Sequence, residues 1–577
     1  MSMEMAAGSG RDMVVQGLVR DGADVRLVQV YAAYTRGFAG IQLLGDLAEV
    51  CRSGKERARA ALENIGIRLG AQKLVLGFTP AGIRIDGAHM DLPVAIALAT
   101  ARNSGAQPQA ADGPTPVVFA AEVGLAGELR PVPGIVALAL GAARGGGRVM
   151  VVAEENLQDL RGIDLAPLRV VGLSSLDRVL DWVEGDASAA RTCHAEVDVW
   201  FDGEQAAGMP GFEDMSMAPG LARAAMAVAA GRHSILLRGT PGSGKTMFAQ
   251  RLPGIMPPLD TREKLHALHL HNLAGNSLAA IRGGRVPFRS PHHGASMAAI
   301  LGSHRCPGEI SLAHGGILFL DELPEFRRDL LESLREPLET GEVHLARVQG
   351  HVVWAADAIL VAASNNCPCG WYASRFRECN CMTGQVAAYQ GRMSGPLLDR
   401  IDIHFNMPER GTFSRESIAA EPASKTSKWT SQELRKRVLE ARDFAARRHQ
   451  ALGLGTAALA CNSRIPDQVL RGVPGFLGRR GSDPVQELIE EVAARGTDTE
   501  GARALETCQS SSARGLVRAL RVARTLADLD TVEVVGYEHF RQALLWQAGA
   551  AAMERGDLGR PGAPGQRSRR ATWNHVN

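Results

Sequence analysis

Residues 239–246 place glycines, a lysine and a threonine in the spacing G-x-x-x-x-G-K-[ST]. Glycines let the backbone wrap closely around a phosphate and turn its N–H groups toward the phosphate oxygens. A predicted strand (234–237) precedes the segment and a predicted helix (247–252) follows it, which argues against a chance glycine-rich turn. The predicted nucleotide-binding residues are Gly239, Gly242 and Gly244 in the loop, Lys245 at the β- and γ-phosphates, and Thr246 at Mg²⁺.

Two acidic residues, Asp321 and Glu322, follow the apolar segment 317–320. Asp321 is expected to hold Mg²⁺, and Glu322 to orient and polarise the attacking water. Taken alone, an acidic pair after a strand is more often a helix cap or a solvated turn. The phosphate-binding loop upstream favours the catalytic interpretation.

A third apolar segment, 359–363, ends in two amides, Asn365 and Asn366. Ligands of parallel α/β sheets bind at the carboxyl ends of the strands, so these amides are expected to meet the loop and the acidic pair. An asparagine after a strand is usually only a turn residue. We assign Asn365 to hold the attacking water, with Asn366 as the competing choice.

Two arginines, Arg400 and Arg514, are candidates to complete the chemistry. An arginine supplied by a neighbouring subunit can stabilise the charge of a transferring phosphoryl group, and Arg400 lies at the edge of the predicted core. Arg514 begins a predicted helix and is expected to report nucleotide state. The alternative role of Arg400 is a surface ion pair with Asp399 or Asp402. Arg518 and Arg521 are the alternatives to Arg514.

Four of the nine cysteines, Cys367, Cys369, Cys379 and Cys381, form two C-x-C pairs. Four thiolates can surround one Zn²⁺ tetrahedrally, and a site with four protein ligands is structural because it leaves no open position. The alternative is a reduced, partly buried group of thiols in a loop.

The composition is typical of a folded protein with several domains. Hydrophobic residues make up 45% and charged residues 22%, and the net charge of +2 means that any nucleic-acid affinity depends on local basic patches. No apolar segment is long enough to cross a bilayer, and the first residues do not have the pattern of a signal peptide. We expect a cytoplasmic protein with no membrane contact.

The order of strand-like and helix-like segments predicts an α/β protein. An α/β or α+β domain is expected at 1–185, followed by a linker at 186–205 and a second α/β unit with a parallel sheet at 206–410. A loop at 411–430 leads to a helical region at 431–555, with helices at 431–452 and 511–528. The tail, 556–577, is rich in Gly, Pro and Arg and is expected to be disordered.

The chain resembles the magnesium-chelatase-like AAA+ ATPases of the YifB/ComM family. The matching segments are GTPGSGKTMFAQRLPGIMPPL, PFRSPHHGAS, GGILFLDELPEF, LREPLETGEVHLAR, CPCG and SGPLLDRIDIHF, and the match continues in SARGLVRALRVARTLADLD. They cover roughly 206–410 and much of the helical region. The family usually has Asn-Pro before CPCG, where this chain has Asn365-Asn366.

The resemblance implies an ATP- and Mg²⁺-dependent motor that assembles into a hexameric ring. It also implies a β-hairpin at about 342–356, with Arg347 near its tip, and a role in DNA branch migration during natural transformation. Arg347 in a ring pore is then expected to contact single-stranded or branched DNA. The predicted helix at 431–452 offers further basic residues, although such a helix is more often a solvated face. They are Arg435, Lys436, Arg437, Arg447 and Arg448.

The amino-terminal region resembles the Lon protease domain, whose mechanism requires a serine and a lysine. His89 stands at the position expected for the serine, and Val136 at that expected for the lysine. Without a hydroxyl nucleophile or an amine base, we predict that this Lon-like domain is proteolytically inactive and serves assembly or partner binding.

Three functions are therefore compared. The preferred one is an ATP-driven DNA helicase or branch-migration motor acting in DNA uptake and recombination. The alternative is a magnesium-chelatase-type motor subunit that powers metal insertion or remodels a protein partner. An AAA+ protease is disfavoured by the missing dyad.

Overall fold

The computed structural model describes most of the chain. The described residues are 13–21, 24–45, 49–70, 72–80, 87–101, 115–186, 191–193, 210–215, 217–347, 350–393, 395–409, 429–454, 461–473, 475–478, 484–496 and 498–554. Within these ranges, no helix combines the length and apolar character that a membrane crossing requires.

The amino-terminal part of the chain is built on a mixed sheet. Its strands are β1 Met13–Asp21, β2 Asp24–Thr35, β3 Gly40–Leu43, β4 Lys73–Thr79, β5 Thr115–Ala120, β6 Glu122–Val123, β7 Leu129–Arg130, β8 Val149–Ala153, β9 Arg169–Leu173 and β10 Arg191–Cys193. The eight-stranded sheet has the order β10-β9-β8-β5-β1-β2-β4-β3, and β6 pairs with β7 separately. The strands β1, β5, β8 and β9 run parallel to one another, whereas β2 and β10 pair antiparallel to their neighbours.

Helices cover both faces of this sheet. They are α1 Glu49–Asn64, α2 Asp91–Thr100, α3 Ile135–Arg144, α4 Leu157–Leu160 and α5 Leu176–Glu184. Successive side chains of a strand point to opposite faces, so the apolar strand β5 contributes to two cores. Val117 and Phe119 pack with α1 and α2, whereas Val118 and Ala120 pack with α3.

The second α/β unit has a fully parallel five-stranded sheet. The strands that follow β10 are β11 Ile235–Arg238, β12 Phe288–Arg289, β13 Ile317–Leu320, β14 Glu342–Arg347, β15 Gly350–Ala355, β16 Ile359–Ser364 and β17 Ile403–Asn406. The sheet order is β12-β13-β16-β11-β17, and β14 and β15 form an antiparallel hairpin outside it. Every residue of β11, β13 and β16 is buried, as expected for parallel strands covered on both faces.

Short helices connect the strands of this sheet. They are α6 Pro219–Gly231, α7 Lys245–Arg251, α8 Thr261–Leu273, α9 Ala279–Arg282, α10 Met297–Leu301, α11 Glu309–Leu312, α12 Arg328–Ser333, α13 Arg335–Thr340, α14 Thr383–Gln390 and α15 Gly395–Leu398. Of these, α7 follows β11 and begins with Lys245 and Thr246 of the predicted nucleotide site. The chain thus has the mixed α/β architecture predicted from the order of its segments.

The carboxyl-terminal part is helical and shares one apolar core with the parallel sheet. Its helices are α16 Ser431–Ala451, α17 Asp467–Gly472, α18 Pro484–Arg495, α19 Thr499–Ser510, α20 Ala513–Leu529 and α21 Tyr537–Glu554. A capping box of Thr430 and Glu433 begins α16. Buried His233 joins the two parts, because its ring nitrogens lie 3.0 Å from Asp402 Oδ2 and 2.8 Å from Thr525 Oγ1.

The amino-terminal part packs on the parallel-sheet unit through α3 and α8. Leu138 of α3 and Leu268 of α8 belong to the same buried cluster. Asn272 of α8 accepts a 2.9 Å hydrogen bond from the Val136 amide, and its backbone oxygen accepts one of 3.2 Å from the Gly134 amide. The contact therefore fixes backbone groups of α3 as well as covering apolar surface.

The observed elements agree with most of the predicted ones. The helices predicted at 431–452 and 511–528 are α16 and α20, which differ from the predictions by at most two residues. The predicted linker 186–205 contains β10, which pairs with β9 of the amino-terminal sheet, so this segment is not irregular throughout. Most of the predicted loop 411–430 and the predicted tail 556–577 lie outside the described residues.

Candidate functional site

Three strand ends meet at one edge of the parallel sheet. The strands β13, β16 and β11 are adjacent and parallel, so Leu320, Ser364 and Arg238 end side by side. The Gly239 amide donates a 3.3 Å hydrogen bond to the Ser364 carbonyl, which ties the start of the phosphate-binding loop to the end of β16. The convergence expected from the three apolar segments is therefore present.

The loop between β11 and α7 has the backbone that its glycines permit. Gly242 has φ of 76° and Gly244 has φ of 91°, both in the left-handed region that side chains disfavour. Gly244 immediately precedes α7, so the N-terminus of that helix opens at the end of the loop. This arrangement suits a phosphate group, which loop amides and a helix N-terminus bind together.

The Lys245 side chain lies buried beneath the loop. Its ammonium group donates hydrogen bonds to the carbonyls of Gly239 (2.8 Å) and Thr240 (3.0 Å), and to Asn365 Oδ1 (3.1 Å). Burial lowers the pKa of Lys245 to about 8, while the charge of Asp321 acts in the opposite direction. An anion in the loop would favour the charged ammonium form.

Thr246 and Asp321 are in direct contact. The Thr246 hydroxyl donates a 2.7 Å hydrogen bond to Asp321 Oδ2, across the gap between α7 and the end of β13. A hydroxyl and a carboxylate oxygen at this distance are the oxygen ligands that Mg²⁺ prefers. The donor set therefore fits a magnesium ion bound together with a triphosphate.

Glu322 is held in a left-handed backbone conformation, with φ of 51°. Its amide donates a 2.9 Å hydrogen bond to Asp321 Oδ1, which stabilises the turn after β13. Non-glycine residues rarely adopt this conformation, and those that do are concentrated at functional sites. The Asp321 carboxylate is thus bonded both to the Thr246 hydroxyl and to the Glu322 amide.

His293 is a site residue that sequence reasoning left unassigned. Its Nδ1 lies 3.6 Å from Glu322 Oε2, and its ring packs against His292 with centroids 4.0 Å apart. The signal was the sequence Ser-Pro-His-His-Gly, but nothing local connects it to an acidic residue 29 positions later. The packing of the loop before α10 on the end of β13 makes that contact.

The two candidate asparagines have different surroundings. Asn365 Oδ1 accepts the hydrogen bond from Lys245, whereas the Asn366 amide donates a 3.1 Å hydrogen bond to the Tyr372 carbonyl. The first side chain faces the phosphate-binding loop, and the second faces the cysteine-containing segment. The geometry therefore favours Asn365 as the residue that contacts the nucleotide.

Arg400 and Arg514 lie at the end of the parallel sheet opposite the phosphate-binding loop. Both contact Glu339, at 2.6 Å and 3.8 Å respectively. They line a cavity of about 680 Å³ together with Ser234 and Ile359, which stand at the starts of β11 and β16. Because the loop is at the opposite ends of these strands, neither arginine is brought to the nucleotide site of its own chain.

Glu339 is a second residue that sequence reasoning missed. The Arg400 guanidinium beside it lowers the pKa of its carboxyl group through a hydrogen bond, and Arg514 lowers it further. Arg518, the alternative to Arg514, instead lies 3.5 Å from Asp399, and Asp402 bonds to His233. The ion pairs thus differ from the alternative considered above, in which Arg400 pairs with Asp399 or Asp402.

The cysteine-containing segment follows β16 directly. The four thiols lie within 4.8 Å of one another in the described part of the chain, with Cys367 buried and the others half-buried. The sequence expectation that the two C-x-C pairs come together agrees with this geometry.

The predicted hairpin is observed as β14 and β15, and Arg347 is the last residue of β14. The Arg347 side chain lies outside the described residues, and so do residues 348 and 349 at the turn. One expectation for the basic helix α16 is wrong: Arg448 forms a buried ion pair with Asp528 and is not available to a phosphate. Arg437 stacks 5.1 Å from the Trp429 ring.

Comparison with known proteins finds a family match in each of the three parts of the chain. The family described as "Magnesium chelatase, subunit ChlI" matches residues 212–414, "Subunit ChlI of Mg-chelatase" matches 30–156, and "Magnesium chelatase, subunit ChlI C-terminal" matches 428–547. Each of the three matched ranges lies within one of the structural parts described above.

Three relatives extend over nearly the full length. An uncharacterised protein of Mycobacterium bovis is 35% identical, covering 95% of this chain and 100% of the relative. YifB of Salmonella typhimurium is 31% identical over 91% and 95%, and the competence protein ComM of Haemophilus influenzae is 30% identical over 91% and 96%. The nucleotide-site geometry and these matches agree, and the chain therefore belongs to the YifB/ComM family of magnesium-chelatase-like AAA+ ATPases.

Proposed function

We propose that the residues at the three strand ends hydrolyse ATP. Lys245 and the loop amides bind the phosphates, and Thr246 and Asp321 hold Mg²⁺, which neutralises charge on the phosphates when bound. Glu322 polarises the attacking water and Asn365 orients it. The observation that carries this proposal is the pair of contacts Thr246–Asp321 and Lys245–Asn365, which unite the three strand ends in one site.

The site is completed by a neighbouring subunit in a ring, for which we propose a hexamer. Support comes from the position of Arg400 and Arg514, which line a cavity at the opposite edge of the sheet from the phosphate-binding loop. Arg400 is assigned to stabilise the charge of the transferring phosphoryl group, and Arg514 to respond to the same nucleotide. Within the chain, both arginines contact Glu339.

The motor acts on DNA, as a cytoplasmic helicase or branch-migration ATPase in DNA uptake and recombination. The likeness to a competence protein supports this, since competence concerns the uptake of DNA. The hairpin β14–β15 lies outside the parallel sheet, and Arg347 is the last residue of β14, a position that suits contact with phosphates in a ring pore.

The flanking domains have supporting roles in this proposal. The amino-terminal domain is a Lon-like module without proteolytic activity. His89 is buried with Nε2 2.7 Å from the Leu18 carbonyl, and Val136 is fully buried in α3, so neither offers a nucleophile or a base. The carboxyl-terminal helices form the lid of the ATPase, since their core is continuous with that of the sheet.

The competing function is that of a chelatase-type motor subunit that remodels a protein or powers metal insertion. The three matches to chelatase ChlI families favour it. The two functions differ in their response to DNA. A DNA motor hydrolyses ATP faster when single-stranded or branched DNA is present, whereas the chelatase-type motor does not respond.

The experiment compares ATP hydrolysis with and without branched DNA for wild type, Arg347→Ala and Arg161→Ala. Arg161 is exposed in the amino-terminal domain, so its variant loses the same charge away from the hairpin. The DNA proposal predicts stimulation that is lost only in Arg347→Ala, with basal hydrolysis retained. Hydrolysis that no DNA stimulates would instead support the chelatase-type motor.

A further inference from the structure

The four clustered cysteines have the geometry of metal ligands rather than of a disulfide. The sulfur of Cys367 lies 3.3 Å from that of Cys369 and 3.6 Å from that of Cys379, and the latter two are 3.5 Å apart. A disulfide requires a separation of about 2.0 Å. Four thiolates around one tetrahedral zinc ion are separated by about 3.8 Å, given zinc–sulfur bonds of about 2.3 Å.

We propose that Cys367, Cys369, Cys379 and Cys381 bind one structural Zn²⁺, and that this ion holds the ATPase site in its active geometry. The second part rests on the proposed function of the three strand ends, whereas the first part does not.

Backbone amides already point at two of the sulfur atoms. The Tyr372 amide donates to Cys367 Sγ at 3.3 Å, and the Cys381 amide donates to Cys379 Sγ at 3.4 Å. Such hydrogen bonds orient metal ligands and stabilise the negative charge of thiolates. The segment is thus arranged for thiolate ligands, although its C-x-C spacing is tighter than that of common zinc motifs.

The cysteine segment is in contact with the phosphate-binding loop through Gly370 and Pro241. A Cβ atom built on Gly370 would lie 2.5 Å from Pro241 Cγ, closer than two non-bonded carbon atoms can approach. Gly370 also has φ of 84°, a conformation that disfavours a side chain. The segment therefore supports one side of the loop that binds phosphate.

The same segment fixes the end of β16. Asn366, which separates Asn365 from Cys367, donates to the Tyr372 carbonyl, and its own carbonyl accepts a 3.0 Å hydrogen bond from Gln390 of α14. Its neighbour Asn365 contacts Lys245. Removing the ion would release the 15-residue segment from Cys367 to Cys381, and with it both Asn365 and the support of Pro241.

The test measures zinc by elemental analysis in the full chain, purified under reducing conditions from cells supplied with zinc. The proposal predicts one zinc per chain, lost in Cys379→Ser and kept in Cys306→Ser, whose thiol is exposed and outside the cluster. Absence of zinc from the wild type, or iron in its place, would overturn the site.

The coupling is tested on the same samples by ATP hydrolysis. We expect a loss of about tenfold or more in Cys379→Ser, the usual effect of disturbing groups around a metal site. Removing zinc from wild type with a chelator and adding it back covers the case in which the variant does not fold. Unchanged hydrolysis in zinc-free protein would overturn the coupling.

Gly370→Ala separates metal binding from its consequence. The variant is expected to keep its zinc but to hydrolyse ATP more slowly, because the added Cβ displaces Pro241. Full hydrolysis in this variant would contradict the contact between the segment and the loop. If the wild type bound zinc but never hydrolysed ATP, the proposed function would fail while the zinc site remained established.

Discussion

The ammonium group of Lys245 donates a 3.1 Å hydrogen bond to the side-chain oxygen of Asn365, which joins α7 to the end of β16. The two residues are 120 positions apart, and the contact exists because β11 and β16 are neighbours in the parallel sheet. It places an amide beside the lysine that is assigned to the terminal phosphates. Of the two adjacent asparagines, Asn365 is therefore the one whose side chain contacts Lys245.

Replacing Asn365 by alanine is expected to lower the turnover number of ATP hydrolysis about 100-fold, the usual effect of removing one polar group that acts on the transition state. ATP affinity should change much less, because the loop amides remain. Asn366→Ala is the matched control, and steady-state phosphate release with fluorescent-nucleotide binding provides both quantities. A greater loss of turnover in Asn366→Ala would contradict the assignment.

Arg400 is predicted to act on the nucleotide of a neighbouring subunit, which can be tested by mixing two inactive variants. Lys245→Ala removes the phosphate-binding lysine and Arg400→Ala removes the arginine, so each homogeneous ring should be inactive. In an equal mixture, roughly a quarter of the interfaces combine an intact Lys245 with an intact Arg400 from the next subunit.

The predicted result of that mixing experiment is recovery of ATP hydrolysis when the two proteins are exchanged into common rings. The control is an equal mixture of Lys245→Ala with Arg161→Ala, a variant that keeps both Lys245 and Arg400. It reports how much an inactive subunit disturbs its neighbours. Exchange without any recovery would show that both residues serve the same chain.

The lowered pKa of Lys245 predicts proton uptake on ATP binding at about pH 9. Burial lowers the pKa to about 8 from its ordinary value of 10.5, so the unliganded lysine is mostly neutral at that pH. Phosphate favours the charged form, so binding raises the pKa and takes up a proton, and ATP affinity falls as the pH rises through 8.

Calorimetric titrations at about pH 9, in two buffers of different ionisation enthalpy, count the protons taken up per bound ATP. The uptake should disappear in Lys245→Met, a variant of similar length that cannot be protonated. Equal uptake in the variant would assign the proton to another group.

Asp528 is predicted to be essential for the stability of the helical part. It is 1% exposed, pairs with Arg448 and Arg524, and accepts a 2.7 Å hydrogen bond from Asn462. Asp528→Ala leaves two guanidinium groups without their carboxylate partner, and removing one partner of a buried pair costs about 3–5 kcal/mol. Urea denaturation should show this loss, whereas Asp443→Ala, at an exposed position of α16, should change the free energy of unfolding by less than about 0.5 kcal/mol.

The sequence predicted those features whose signal is local. The phosphate-binding loop, the buried strands and α16 each show in the residues that form them, as spacing, apolar runs or caps. Parallel strands bring their ends together, so even the convergence of Lys245, Asp321 and Asn365 follows from the pattern.

The missed contacts join residues whose relation depends on how separate elements pack. His293 reaches Glu322 because the loop before α10 folds over the end of β13, and Glu339 meets both Arg400 and Arg514 through the placement of α13. Likewise, the basic pattern of α16 does not reveal that Arg448 points into the core toward Asp528. Charge pattern alone does not separate a solvated face from a buried ion pair.

The central claim, that the three strand ends form an ATPase, is tested most directly by measuring ATP binding and phosphate release together in wild type and Glu322→Gln. The substitution keeps the shape of the side chain but removes the carboxylate that polarises water. We predict that both proteins bind Mg²⁺-ATP and that only the wild type releases phosphate. Phosphate release by Glu322→Gln at the wild-type rate, or a wild type that neither binds nor hydrolyses ATP in any oligomeric form, would contradict the claim.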